Sequence, residues 1–364
     1  MHIYEVSVII IHKMKEVQMS YYYHQLSKIE QKAYYAIKEG LKAMASSFTV
    51  PLLDGKRLSD IYFMVRMDCP EIFYSVKFSY RYYKDSENAE LIPEYLFPKA
   101  KMIEHRKAME ARVKKLARQA EKLSEKEKEL FIHDFLCENV HYDKLKKAYS
   151  HEIIGPLGQG VGVCEGIAKS VKILCDALGI WCIIALCDNN PEKGIKYRHM
   201  WNVVRIEGKY YHLDVTFDNS LSKNGVLRYD YFNLSDAQVF KDHEPVIYKI
   251  PECTDGEHTY YREKKLSWTK YEDVRKRAAQ AVKKGKVLVF HWRGGYLTKE
   301  VLKELFEIFH EEAAKKEKYA YLSLNWPQAV LQVRFSSEVP QKEIMMEEAN
   351  EGETLERGEV YEKE

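Results

Sequence analysis

The sequence predicts an α+β protein. Three observations predict it. Apolar residues at Ile167, Val171, Leu174 and Leu178 recur at helical spacing directly after Cys164. Tyr197 to Ile206 and Tyr210 to Phe217 read as strands, and Glu207-Gly208 between them suits a tight antiparallel hairpin turn. The residues on either side of this segment carry both helix-period and strand-period patterns. Apolar residues make up 46% of the 364, enough for two or three structural units with their own cores and too many for a disordered chain.

The elements follow in order. Leu26, Ile29, Ala33, Ile37, Leu41 and Met44 mark a helix with one apolar face, and a second helical pattern runs from about Leu58 to Val65. Val76, Phe78, Tyr80 and Tyr82 alternate with Lys77, Ser79 and Arg81, which predicts a half-buried strand. Pro93 and Pro98 read as breaks in regular structure. A charged helix is expected from about Lys99 to Lys122. Ser124-Glu125-Lys126-Glu127 is then a capping box that opens a helix with Leu130, Phe131, Phe135 and Leu136 inward. The helix that begins near Cys164 stops at Gly179. After the hairpin, Tyr229 to Leu234 reads as a further strand and Pro245 to His258 as a connection.

The last module opens with a helix started by Ser267 or Thr269, with Tyr271, Val274 and Ala278 inward. Val287 to Trp292 is a strand and Gly294-Gly295 a turn. Thr298 caps a helix with Val301, Leu302, Leu305, Phe306 and Phe309 inward, and Tyr319 to Leu324 and Ala329 to Phe335 are two more strands. Glu338 to Glu364 has ten glutamates against three basic residues and no periodicity, so disorder is expected there. The expected organisation is a lead-in α+β unit over 1–98, a core with a helical arm over 99–258, a small α+β module over 259–336 and an acidic tail over 337–364.

The chemistry concentrates in the middle. Cys164 stands in Gly160-Val161-Gly162-Val163-Cys164-Glu165-Gly166, at or next to the first turn of its helix. Unpaired N–H groups and the positive end of the helix dipole would favour its thiolate, the nucleophilic form. With Glu207-Gly208 as the two loop residues, Ile206 faces Lys209 and Trp201 faces Asp214. His199 and Asp214 then share a face as diagonal neighbours, roughly 7 Å apart at the backbone. A carboxylate there can fix the tautomer of the imidazole and stabilise its charged form. A loop one residue longer or shorter would put the two on opposite faces.

These residues carry a resemblance. Gly155-Pro156-Leu157 through Gly166, then His199-Met200-Trp201-Asn202-Val203, then Tyr211-His212-Leu213-Asp214-Val215-Thr216-Phe217-Asp218 resemble the core of the transglutaminase-like superfamily. Phe135 to Asp143 upstream and Tyr229 to Asp236 downstream resemble its bacterial members. The matched stretches span roughly a third of the chain. The resemblance implies a papain-like fold, with the cysteine on a helix packed against an antiparallel sheet, and it implies Cys164 as nucleophile, His199 as base and Asp214 as orienter. Ile167 stands where many relatives have an aromatic residue and Phe217 where many have tryptophan; neither departure removes a reacting group.

Other residues compete for these roles. His212 shares the expected face of Asp214 and is a rival base, with a structural role as its alternative. Asp218 is a rival orienter or a residue of the site rim. Trp201 is a core residue or a wall over the imidazole, and Asn202 suits the satisfaction of backbone groups. His141, Tyr142 and Asp143 form a polar cluster whose simplest reading is a turn. The backbone N–H of Cys164 is a natural oxyanion donor, and Gln159 is the candidate for a second donor, with a solvent-facing loop residue as its alternative.

Composition narrows the function. A net charge of +2 argues against nucleic-acid or acidic-membrane partners. The basic run from Arg112 to Lys122 is interleaved with Ala, Leu and Glu and reads as a solvated helix face. The seven cysteines are odd in number and contain no Cys-x-x-Cys, which argues against a disulfide framework and a zinc site. No phosphate loop, metal motif or cofactor motif stands out. Val6 to Ile11 is too short an apolar run for a signal peptide or span, so a cytoplasmic location is expected. The expected function is cysteine-dependent acyl transfer on peptide or protein amides, as a peptidase or amidase. A protein-glutamine transglutaminase that uses an amine acceptor, and a non-catalytic peptide- or protein-binding module on the same fold, are the alternatives.

Overall fold

Two apolar strands organise the sheet that carries the site. Trp181–Cys187 carries buried side chains on both faces, so both must be covered. Cys182, Ile184 and Leu186 enter the main core together with Ile167, Val171 and Leu174 of the helix Cys164–Leu178. Ile183, Ala185 and Cys187 enter a smaller cluster with Trp201, Val203 and Cys253. Each fully buried aliphatic side chain contributes about 1.5–3 kcal/mol of transfer free energy. Trp181–Cys187 pairs with His199–Ile206, that strand with Lys209–Leu213, and that with Phe232–Leu234. The result is a four-stranded antiparallel meander with the cysteine helix against one face. The fold is α+β, as expected.

The structure is a computed structural model, and it describes residues 20–223 and 225–338. The apolar run Val6 to Ile11 and the acidic tail past residue 338 lie outside the described residues. Two compact units partition the chain, one of Met1–Cys187 with His199–Tyr260 and one of Asp188–Arg198 with Tyr261–Glu364.

In the first unit, residues 20–98 do not form a separate core. Tyr22, Ile37, Leu41, Leu58, Ile61 and Val65 join the same cluster as the cysteine helix. The apolar stripe of Lys28–Lys42 runs through Ala33, Tyr34, Ile37 and Leu41, whereas Ile29 is exposed. Phe48–Pro51, Asn88–Tyr95 and Ser75–Arg81 form a three-stranded antiparallel sheet with Asn88–Tyr95 in the middle. Pro93 therefore lies inside a strand and is not a break. Pairing with Phe48–Pro51 ends at Leu91, so beyond it the strand has a neighbour on one side only, a place where a proline is tolerated. Pro98 precedes the helix Lys99–Ala120, and Ser124 opens Glu125–Asn139 with the expected capping box.

The second unit has a four-stranded sheet in the order Ser267–Trp268, Leu288–Trp292, Val330–Ser336, Tyr319–Asn325. The helices Tyr271–Lys284 and Lys299–Ala314 pack Val274, Ala278, Leu305 and Phe309 against Phe290, Leu331 and Val333. Ser267 is not a helix start. It pairs in parallel with His291, and the helix begins only at Tyr271. Phe306 is exposed, and Ile308 takes the buried position. Among the described residues, no helix is long and apolar enough to cross a membrane.

Candidate active site

Cys164 is the first residue of its helix, so its N–H has no intrahelical acceptor. The approach to it is pinned. Val163 N–H donates to the Ser150 carbonyl at 3.0 Å, and His141-Tyr142 pairs in parallel with Val161-Gly162. Asp143 accepts from the Ser150 hydroxyl and from the N–H groups of Leu145 and Lys147, as a turn residue does. Gly166 must be glycine: a Cβ there would lie 2.2 Å from the Ser150 carbonyl oxygen. The first turn is also held by a buried ion cluster. Glu165 receives Lys169 at 2.7 Å, His151 at 3.0 Å and Arg66 at 3.2 Å. Arg66 and Lys169 also pair with buried Glu152. Burial alone would raise the Glu165 carboxyl, but Lys169 and Arg66 hold it far below the ordinary range. Of the seven cysteines, all within the described residues, only Cys164 and Cys137 are not fully buried.

The hairpin turns on Glu207 (φ 50°) and Gly208 (φ 83°), the left-handed pair that a two-residue turn requires. The observed register is the expected one, Ile206 opposite Lys209 and Asn202 opposite Leu213, and Asp214 follows directly after its last pair. His199 Nε2 lies 2.6 Å from Asp214 Oδ2. Cys164 acts on the same imidazole as hydrogen-bond partner and charge, and with Nε2 taken the other nitrogen, Nδ1, is the one left for the sulfur. The structure thus brings thiol, imidazole and carboxylate together.

The strand read as running to Phe217 ends at Leu213. Asp214 instead caps a helix, Val215–Leu221, by accepting the N–H groups of Thr216 (2.9 Å) and Phe217 (3.0 Å) at Oδ1. An aspartate that caps a helix with one oxygen and orients an imidazole with the other is fixed from two directions. Burial would by itself lower the His199 pKa. Asp214 more than offsets this, and with its hydrogen bond and Cys164 it pushes His199 up to about 10. Asp214, although desolvated, is held well below the ordinary carboxylate range by His199 and His243.

The remaining candidates separate. Trp201 walls the imidazole, with its ring centroid 5.8 Å from that of His199 at 17°, and its Nε1–H donates to His212 Nδ1 at 2.9 Å. His212 in turn bonds Asp236 at 2.8 Å, and burial lowers its pKa, so it is a structural partner of Trp201. Asn202 donates from its side chain to the carbonyls of Ala168 and Ile183 and ties strand to helix. Asp218 is not a rim residue. It is fully buried, bonds His133 Nε2 at 3.1 Å and accepts the Tyr231 N–H. It is carried inward by the short helix that turns Phe217 onto the imidazole instead, 4.6 Å between ring centroids. Gln159 is exposed at the end of the wide turn Ile154–Gln159.

Sequence reasoning missed His243. Its Nε2 lies 2.9 Å from Asp214 Oδ2, the same oxygen that His199 contacts. It sits in Asp242-His243-Glu244-Pro245, at the edge of the stretch read as a connection. No periodicity marks it, and its only signal is an imidazole beside a carboxylate.

The model of the transglutaminase-like superfamily matches residues 112–215, a range that holds Cys164, His199 and Asp214. No curated protein matches the sequence. Among solved structures, the chain is similar to a TGase crystal structure at 12% identity over 47% of this chain and 50% of that one, with a TM-score of 0.27. It is also similar to a proposed cysteine protease from Cytophaga hutchinsonii, at 16% identity over 39% of this chain and 62% of that one, with a TM-score of 0.26. A proposed protease from Parabacteroides distasonis matches at 15% identity over 38% of this chain and 36% of that one, with a TM-score of 0.25. The chain spans half the length of the first of these and less than two thirds of the others. Residues 112–215 of this chain thus match the transglutaminase-like superfamily, with the cysteine at the head of a helix, the histidine on a strand of an antiparallel hairpin and the aspartate directly after its partner strand.

Proposed function

We propose that the protein is a cysteine-dependent acyl-transfer enzyme that hydrolyses peptide or protein amide bonds. One observation carries the reading: His199 is held by Asp214 through Nε2 and has Cys164 as a second hydrogen-bond partner. In this reading the Cys164 thiolate attacks the amide carbonyl carbon, and its N–H donates to the developing oxyanion. Protonated His199 gives its proton to the leaving nitrogen, the C–N bond breaks, and a thioester remains. Neutral His199 then takes a proton from water, the hydroxide adds to the thioester carbonyl, and the thiolate leaves. Asp214 stays ionised throughout and stabilises the imidazolium.

The test is alkylation of the purified protein with iodoacetamide at graded pH, with the label located by mass spectrometry. Cys164 should react well below pH 7 and faster than the other six cysteines, and His199→Ala should abolish that preference. Labelling of Cys164 no faster than its neighbours would sink the proposal and favour a binding module. A peptide-library digest beside an amine-incorporation assay then separates hydrolysis from transamidation, because an amine in place of water would resolve the same thioester.

A further inference from the structure

One buried titratable group beside the triad has no part in the acyl-transfer steps. The His243 side chain is fully buried. Its Nε2 lies 2.9 Å from Asp214 Oδ2 and its Nδ1 2.8 Å from Asp242 Oδ1. An ionised carboxylate has no proton to give, so both ring nitrogens donate only if the ring is an imidazolium. Asp242 is itself fixed, since the Tyr231 hydroxyl donates to its Oδ2 at 2.5 Å. Ring contacts lock the orientation, with Trp201 at 4.9 Å and 75° and Phe217 at 4.7 Å and 45°.

We propose that His243 is a positioning residue of this site: a doubly protonated imidazole, held by Asp242, that donates to Asp214 and keeps that carboxylate ionised and aimed at His199. The proposal rests on the acyl-transfer reading of Cys164, His199 and Asp214. It arranges the groups as an alternating series, Asp242 negative, His243 positive, Asp214 negative, His199 positive. The two inner charges, His243 and Asp214, each stand between opposite ones, which is how buried charges are tolerated.

The charged and titratable groups facing His243 are Asp214, Asp242, His199, His212 and Tyr231. Burial and the His199 charge oppose its protonation, but the two carboxylates outweigh them and raise its pKa. His212 accepts the Trp201 N–H at Nδ1, so it is neutral there and does not compete for the carboxylates. The consequence falls on Asp214, whose depressed pKa depends on both imidazoles. Without His243, Asp214 takes up a proton at higher pH as the solution is acidified, and His199 loses its anchor at that point.

The experiment is the pH profile of Cys164 alkylation by iodoacetamide from pH 2 to 8 in the full-length wild type, His243→Ala, His243→Gln and Asp242→Asn, with thermal unfolding as a check on folding. The acid limb should move to higher pH in all three variants. It should move most in His243→Ala, by roughly one pH unit, and less in His243→Gln, which keeps a donor without the charge. Asp242→Asn leaves the His243–Asp214 contact in place but removes the group that holds the second proton, so it should resemble His243→Gln. A merely structural histidine would lower the melting temperature without moving the limb. Folded variants whose acid limb coincides with that of the wild type overturn the proposal. A wild type with no preferential low-pH alkylation of Cys164 would instead overturn the acyl-transfer reading. Imidazole nitrogen NMR reads His243 independently of Cys164: both ring nitrogens carry a proton at neutral pH, and a single protonated nitrogen refutes the assignment.

Discussion

Asp214→Asn removes one negative charge from the site while keeping its shape. The asparagine carbonyl can still accept the N–H groups of Thr216 and Phe217, which Asp214 Oδ1 now accepts, and asparagine caps helices as well as aspartate does. Its amide group would then face His199 Nε2, where Asp214 Oδ2 now accepts at 2.6 Å. Two donors cannot bond each other, so the neutral imidazole must move its proton to the nitrogen that faces Cys164, the wrong tautomer for accepting the thiol proton. The charge effect acts in the same direction. His199 keeps its proton up to about 10 against an ordinary 6.5, a difference of about 5 kcal/mol at 1.36 kcal/mol per unit of pH. If half of that comes from the Asp214 charge, neutralising it shifts the balance from ion pair to neutral pair by about 50-fold. Iodoacetamide alkylation of Cys164 at pH 6 should slow by at least that factor, while thermal unfolding still shows one cooperative transition. A folded Asp214→Asn protein that alkylates at the wild-type rate would refute the reasoning.

Two further outcomes follow from the same geometry. The raised pKa of His199 makes its stabilising contribution complete below about pH 6.5 and lost as pH rises through about 10. The depressed pKa of Asp214 makes its contribution complete above its ordinary 3.8 and lost as pH falls below that. The stability gap between wild type and Asp214→Asn, measured by urea unfolding, should therefore be widest between those limits and narrow on either side; a gap independent of pH would contradict the assignment. Gly166→Ala would drive a methyl into the Ser150 carbonyl oxygen, a backbone atom that cannot swing away. Urea unfolding should show a loss of about 2–3 kcal/mol, and Cys164 alkylation at pH 6 should slow as the first turn shifts. Unchanged stability would mean that the turn before the helix yields easily.

The site was readable where chemistry and local geometry coincide. Glu207-Gly208 demands left-handed backbone, so the hairpin register and the shared face of His199 and Asp214 could be worked out from the turn alone. Cys164 could be placed at the head of its helix because the glycine-rich approach and the apolar spacing behind it are both local. Locality also explains the errors. Asp214 ends its strand because its own side chain caps the next helix, and an alternating pattern carries on through such a cap without registering it. Pro93 was misread because a proline is tolerated wherever one side of a strand lacks a neighbour, and neighbours are not written in the strand.

The amino-acid order by itself determined the elements that carry the chemistry: a helix begun by a cysteine, a two-residue hairpin, and an imidazole and a carboxylate in register across it. Side-chain period and turn conformation are properties of a few consecutive residues, so they survive without any knowledge of the rest of the chain. Only the tertiary structure decided what surrounds the reacting groups. Arg66 reaches Glu165 from 99 positions away, and His243 reaches Asp214 from 29. Contacts over such separations form when distant segments pack on one core, and the pattern of neither segment, read alone, contains them.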